Sequence, residues 1–150
     1  MSMQVSLQTT GRVPWTRRPA ALLAVAAARV LIRLRPKRLR RVLSALARGA
    51  RPADAQRALA ARDAVVAVST RCAGQGCLQR AVATALLCRS AGTWPDWCTG
   101  VRARPFQAHA WVEVDGRAVG EPEDIGFYRT VMSVRATARQ PVEANRGADS

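Results

Sequence analysis

The sequence predicts an α+β fold, with a helical N-terminal half packed on a small antiparallel sheet. Three observations lead there. Apolar residues recur at helical spacing as far as Ser90. Short strand-like pieces follow only from Trp97 onward, and helices first with strands afterwards is the order of an α+β domain. The chain has 150 residues, 49% of them apolar, which is enough for one domain with a core of its own.

Residues 1–10 read as a loose lead-in. Residues 19–34 carry alanine, leucine and valine on most faces and form a helix that stops before Pro36. A second, strongly basic helix spans 37–48, with Leu39, Val42, Leu43 and Leu46 as its apolar stripe. Gly49 and Pro52 punctuate, and 53–68 forms a third helix. Gly74 and Gly76 break the pattern before a helix restarts at Cys77 and runs to Ser90. Strands are expected over 97–102, 108–114, 117–121 and 128–134. These elements divide one domain into a basic helical region (1–53), a core (54–135) and a flexible tail (136–150).

Residues 1–53 hold twelve basic side chains and no acidic one, whereas the remainder holds twelve against ten acids. Nearly all of this charge is arginine, which suits forked recognition of carboxylates or phosphates. A docking surface for an acidic partner is expected. No helix-turn-helix, RNA-binding aromatic motif or zinc finger accompanies the charge, so no specific nucleic-acid partner is expected. An anionic membrane surface is a weaker match for residues 20–47. The apolar run near Ala20 is too short to span a bilayer and lacks a signal-peptide cleavage site, so a cytoplasmic location is expected. There Cys72, Cys77, Cys88 and Cys98 are expected to be reduced thiols. They contain no C-x2-C pair that would point to zinc.

Cys77 differs from the other three because it follows Gly74-Gln75-Gly76 and opens a helix. The N–H groups and positive dipole end of a helix favour a thiolate there and can hold a developing oxyanion. Taken alone, a free cysteine is more often a small buried hydrophobe, and that is the expectation for Cys72, Cys88 and Cys98. His109 is the chain's one histidine. It arrives with Cys77 upstream and acids downstream, the order Cys, His, acid of a thiol hydrolase in which imidazole activates thiol and carboxylate orients imidazole.

The candidate acids are Glu113, Asp115, Glu121, Glu123 and Asp124. A two-residue Asp115-Gly116 loop would set Val114 against Arg117 and leave Glu121 opposite Ala110, on the wrong face. A three-residue loop from Val114 to Gly116 shifts the register by one. Glu113 then faces Arg117 as an opposite-charge pair, and Glu121 faces His109. The charge pairing favours this second loop, and Glu121 is selected. Trp94, Trp97 and Trp111 flank the site, where core packing explains them at least as well as a substrate groove does. Phe106 is expected to anchor the loop before the histidine strand.

The stretch GCLQRAVATALLCRSAGTWPDWCTGVRARPFQAHAWVEVDGRAVGE, and above all its Cys-Leu-x-Arg start and its His-Ala-Trp-Val-Glu-Val-Asp-Gly hairpin, resembles the transglutaminase-like cysteine proteases of lasso-peptide biosynthesis. The likeness is to the stand-alone leader peptidases, and it is strongest over residues 77–121. It implies a papain- or transglutaminase-like core with Cys77 as nucleophile, His109 as base and Glu121 as third member, where the family often has aspartate. It also implies a ribosomally made precursor peptide as substrate, a separate leader-binding protein for delivery and a lasso cyclase downstream. No cofactor is expected: ATP use is associated with fused relatives, and no phosphate-binding glycine loop is present. Two other readings compete with the peptidase. One is a non-catalytic basic interaction module on the same fold, and the other is an acyltransferase that passes its thioester to an amine.

Overall fold

The computed structural model describes residues 15–136. The expected lead-in at 1–10 lies outside them, as does all of the expected tail except Ala136. A 3-10 turn (Trp15–Arg17) leads into α1 (Arg18–Leu31), followed by α2 (Pro36–Ala47), the two-residue strand β1 (Arg51–Pro52) and α3 (Ala55–Val68). A single turn, α4 (Thr70–Ala73), precedes α5 (Cys77–Ser90). Then come β2 (Thr93–Trp94), β3 (Asp96–Ala103), β4 (Phe106–Val114), β5 (Arg117–Ala118), a 3-10 turn (Glu123–Phe127) and β6 (Arg129–Val134). The mixed helical and antiparallel architecture is the one the sequence predicts.

The sheet has the order β5-β4-β3-β6 and is antiparallel throughout, while β1 and β2 form a separate parallel pair. Helix α5 lies at the centre, packed between β4 on one side and α1 and α3 on the other. Its residues Gln79 to Ala85 are all buried, as a helix covered on every side requires. Helix α1 approaches through its small residues Ala21, Ala24 and Ala28 and turns Leu22, Leu23 and Val30 outward. In α2 the stripe is Leu39, Leu43 and Ala47, fully buried, with Leu46 packed at its margin and the basic residues on the other face. Asp54 caps α3 by accepting the Arg57 N–H at 2.7 Å.

Trp94 and Trp97 are buried core residues, and Trp94 donates from Nε1 to the Val134 carbonyl. Ala136, the first residue of the expected tail, is buried too, its N–H donating to Asp96 Oδ1. Phe106 does not anchor its loop: it is 74% exposed at the start of β4. Among the described residues no helix is long and apolar enough to cross a membrane.

The hairpin departs from the expected register. Val114 pairs with Arg117 and Glu113 with Ala118, so the loop is Asp115-Gly116 alone. Both residues have positive φ, 54° and 77°, as a type I′ turn requires. Glu113 does not face Arg117; it accepts a hydrogen bond from Trp111 Nε1 at 2.9 Å, two residues back on its own strand. That bond supplies the partner which the longer loop would have found in Arg117.

Candidate active site

Cys77 is the first residue of α5, so the thiol sits where backbone N–H groups have no acceptor within the helix. The loop before it is held tightly. The Gly76 N–H donates to the Arg71 carbonyl at 2.9 Å. A β-carbon at Gly76 would come within 2.7 Å of that same oxygen. Glycine is required there by close approach, which fixes where the cysteine begins its helix.

His109 comes from the middle of β4, paired across the ladder with Gly100 of β3. Its ring faces the Cys77 side chain closely enough for the two groups to be coupled electrostatically, and through Nε2 it bonds to Glu121 Oε2 at 2.8 Å. Nε2 is occupied by the carboxylate, which leaves Nδ1 for the thiol. Trp111 stacks on one side of the imidazole, with ring centres 6.0 Å apart and planes 16° from parallel. Tyr128 leans against it at 5.5 Å. Tyr128 in turn donates to Gln107 Oε1 and lies under the Arg102 guanidinium. Two aromatic rings thus restrict how the imidazole can turn.

Glu121 reaches His109 although the hairpin register puts it out of phase. The ladder's last bond runs from the Val119 N–H to the Val112 carbonyl at 2.9 Å. Gly120 then adopts φ +68°, which takes the chain out of strand geometry and redirects the next side chain. Glu121 was identified from a register the structure does not have. A break in the strand delivers it instead.

The electrostatics of the three groups are coupled. Burial pushes the Cys77 thiol up, but the bond to His109, the Ala110 N–H, and the His109 and Arg80 charges together bring it below the ordinary thiol value. The bonds to Cys77 and then Glu121 raise His109 to about 9, against the opposing effect of burial. Both shifts favour a thiolate paired with an imidazolium. The other cysteines behave in the opposite way. Burial raises Cys72, and it pushes Cys88 and Cys98 up to about 12.

Two arginines that the residue-by-residue reading gave no role stand behind Glu121. Arg62 Nη2 of α3 lies 3.7 Å from Oε1, and Arg80 Nη2 of α5 lies 3.8 Å from the same oxygen. The Glu121 side chain is 4% exposed and the Arg62 and Arg80 side chains 7% and 10%. Arg80 is the one charge in the helical run LQRAVAT, a signal that could have marked it, whereas Arg62 stands beside Asp63 in AARDAVV and carries no such signal. Of the other acids considered, Glu113 serves Trp111 and Asp124 pairs with Arg102 at 3.6 Å. Asp115 sits in the hairpin turn and Glu123 is exposed in the 3-10 turn that follows.

A helix-opening thiol, an imidazole on the adjacent antiparallel strand and a carboxylate behind it form the arrangement used for acyl transfer through a thioester. No curated protein and no solved structure matches the chain significantly. Residues 21–133, three quarters of the chain, match the transglutaminase-like superfamily, and the chain therefore belongs to that superfamily, which includes cysteine peptidases and acyltransferases.

Proposed function

We propose that the protein is a cysteine peptidase that removes the leader from a ribosomally made lasso-peptide precursor. The observation that supports it most directly is His109, bonded to Glu121 at 2.8 Å and coupled to the Cys77 thiol that opens a buried helix. The Cys77 thiolate adds to the carbonyl at the leader–core junction, and the positive end of α5 favours the oxyanion that forms. As the tetrahedral adduct collapses, the C–N bond breaks and His109 gives its proton to the departing amine. The leader remains on sulfur as a thioester. Water, deprotonated by the now neutral His109, adds to it and releases the leader acid and the thiolate.

The arginines of α1 and α2 face outward without a counter-charge on their own helices. In this reading they receive an acidic leader or the separate leader-binding protein that carries it. A lasso cyclase would consume the freed core amine. The test is mass spectrometry of a leader-containing precursor incubated with this protein and its leader-binding partner, beside Cys77→Ala. Cleavage at one bond, lost in the variant, is the expected result. A product in which an amine has replaced water would reassign the chain as an acyltransferase. No reaction with bound precursor would leave a non-catalytic module.

A further inference from the structure

We propose that Arg80, together with Arg62, is the positioning element of this site. The pair holds Glu121 by one carboxylate oxygen so that the other is presented to His109, and Arg80 ties that carboxylate to the loop that places Cys77. The inference rests on the triad reading but not on the identity of the substrate.

The geometry is asymmetric in a way that a simple buried ion pair would not need. Both guanidiniums address Oε1, and the imidazole alone addresses Oε2. A partial turn of the carboxylate about its Cγ–Cδ bond would take one oxygen off the imidazole and the other off both cations. The cavity around it, bounded by Arg62, Arg80, Thr84 and Trp111, is too small to admit a water molecule that could replace either partner. Ions this far from water cost several kcal/mol each unless matched, so the three side chains hold one another in place.

Arg80 also makes a second contact, to the loop before Cys77. While Nη2 faces Glu121, Nη1 donates to the Cys72 carbonyl at 2.9 Å and reaches the Gly74 carbonyl at 3.4 Å. Those carbonyls belong to the segment that leads into Gly76 and Cys77. Arg80 also lies three residues beyond Cys77 on the same helix, on about the same face. One planar fork therefore sets the nucleophile loop and the acid relative to each other. A lysine, with a single ammonium, keeps the charge but cannot span both.

The test is the rate of Cys77 alkylation by iodoacetamide as a function of pH, which needs no substrate. It would be run on wild type, Arg80→Met, Arg80→Lys, Glu121→Gln and the double variant Arg80→Met/Glu121→Gln. Thermal unfolding of each serves as the folding control. Arg80→Met should move the midpoint of the alkylation profile to higher pH, and Arg80→Lys should recover only part of that shift. With a cleavable precursor, Arg80→Met should lose about 10²-fold in rate, as expected for a misplaced catalytic group. In the double variant, the part of the Arg80→Met effect that runs through the carboxylate should vanish, leaving only the direct effect of the Arg80 charge on Cys77. Should Arg80→Met alone fail to fold, Arg80→Lys, which keeps the buried charge but not the fork, carries the test, and a wild-type profile there would overturn the inference. A folded Arg80→Met with the wild-type profile, or effects of Arg80→Met and Glu121→Gln that simply add, would overturn the inference.

Discussion

Glu121 bonds to His109 at 2.8 Å, yet the hairpin register, continued past its last pair, sets Pro122 opposite His109. The one-residue offset is absorbed at Gly120, whose left-handed φ of +68° turns the chain between the ladder and the acid. Arg62 fills the space below: a β-carbon at Gly120 would lie 2.7 Å from Arg62 Cδ. Gly120→Ala is therefore strained in the backbone and presses on the arginine that holds Glu121. The expected cost is about 1–3 kcal/mol in chemical denaturation, with slower Cys77 alkylation at neutral pH. Wild-type alkylation in folded Gly120→Ala would mean that this turn does not deliver the acid.

The raised His109 value fixes a sign for the pH dependence of stability. The folded chain keeps the imidazolium proton up to about pH 9, against an ordinary value of 6.5. The resulting stabilisation is complete below 6.5 and is lost as pH rises through about 9. Cys77, lowered in the folded chain, contributes in the opposite sense: its stabilisation is lost as pH falls through its lowered value. The gap between the denaturant midpoints of wild type and His109→Gln should close as pH rises from 6.5 through about 9. A constant gap would contradict a protonated His109.

Gly100 faces His109 across the ladder and leaves room for its neighbours. An added β-carbon would meet the Arg129 carbonyl at 2.5 Å and the Trp111 ring at 2.7 Å. The carbonyl belongs to β6 and cannot yield cheaply, so Gly100→Ala should displace the indole that stacks on His109. We expect about 1–3 kcal/mol of lost stability together with reduced thiol reactivity. Near-UV circular dichroism would register the shifted tryptophan.

Asp54→Ala provides a contrast. It removes the cap of α3, for which about 1 kcal/mol is expected, and touches none of the three site residues. Its denaturation midpoint should fall while its alkylation profile stays that of wild type. A parallel loss of reactivity would tie the site to global stability rather than to local geometry.

The helices were legible because each buries a stripe that repeats at its own period, as Leu39 and Leu43 do in α2. Cys77 and His109 could be found because each is chemically distinct in its local context. Glu121 was found through an argument that failed: turn chemistry fits two loop lengths, and the choice between them went to a Glu113–Arg117 pairing that Trp111 pre-empts. The roles of Arg62 and Arg80 depend on three segments meeting, and no local pattern encodes that meeting. Phe106 misled because an aromatic residue after proline reads as an anchor, whereas among the described residues it stays exposed.

The division among the four thiols also has a consequence for redox chemistry. Cys72, Cys88 and Cys98 are buried and held as thiols, whereas Cys77 is half-exposed and inclined to ionise. Peroxide attacks thiolates, so oxidation should begin at one sulfur, passing through a sulfenic acid that a small thiol can reverse. Mild oxidant would silence the chain without unfolding it. With no second cysteine exposed among the described residues to trap the sulfenic acid, recovery would depend on an external reductant.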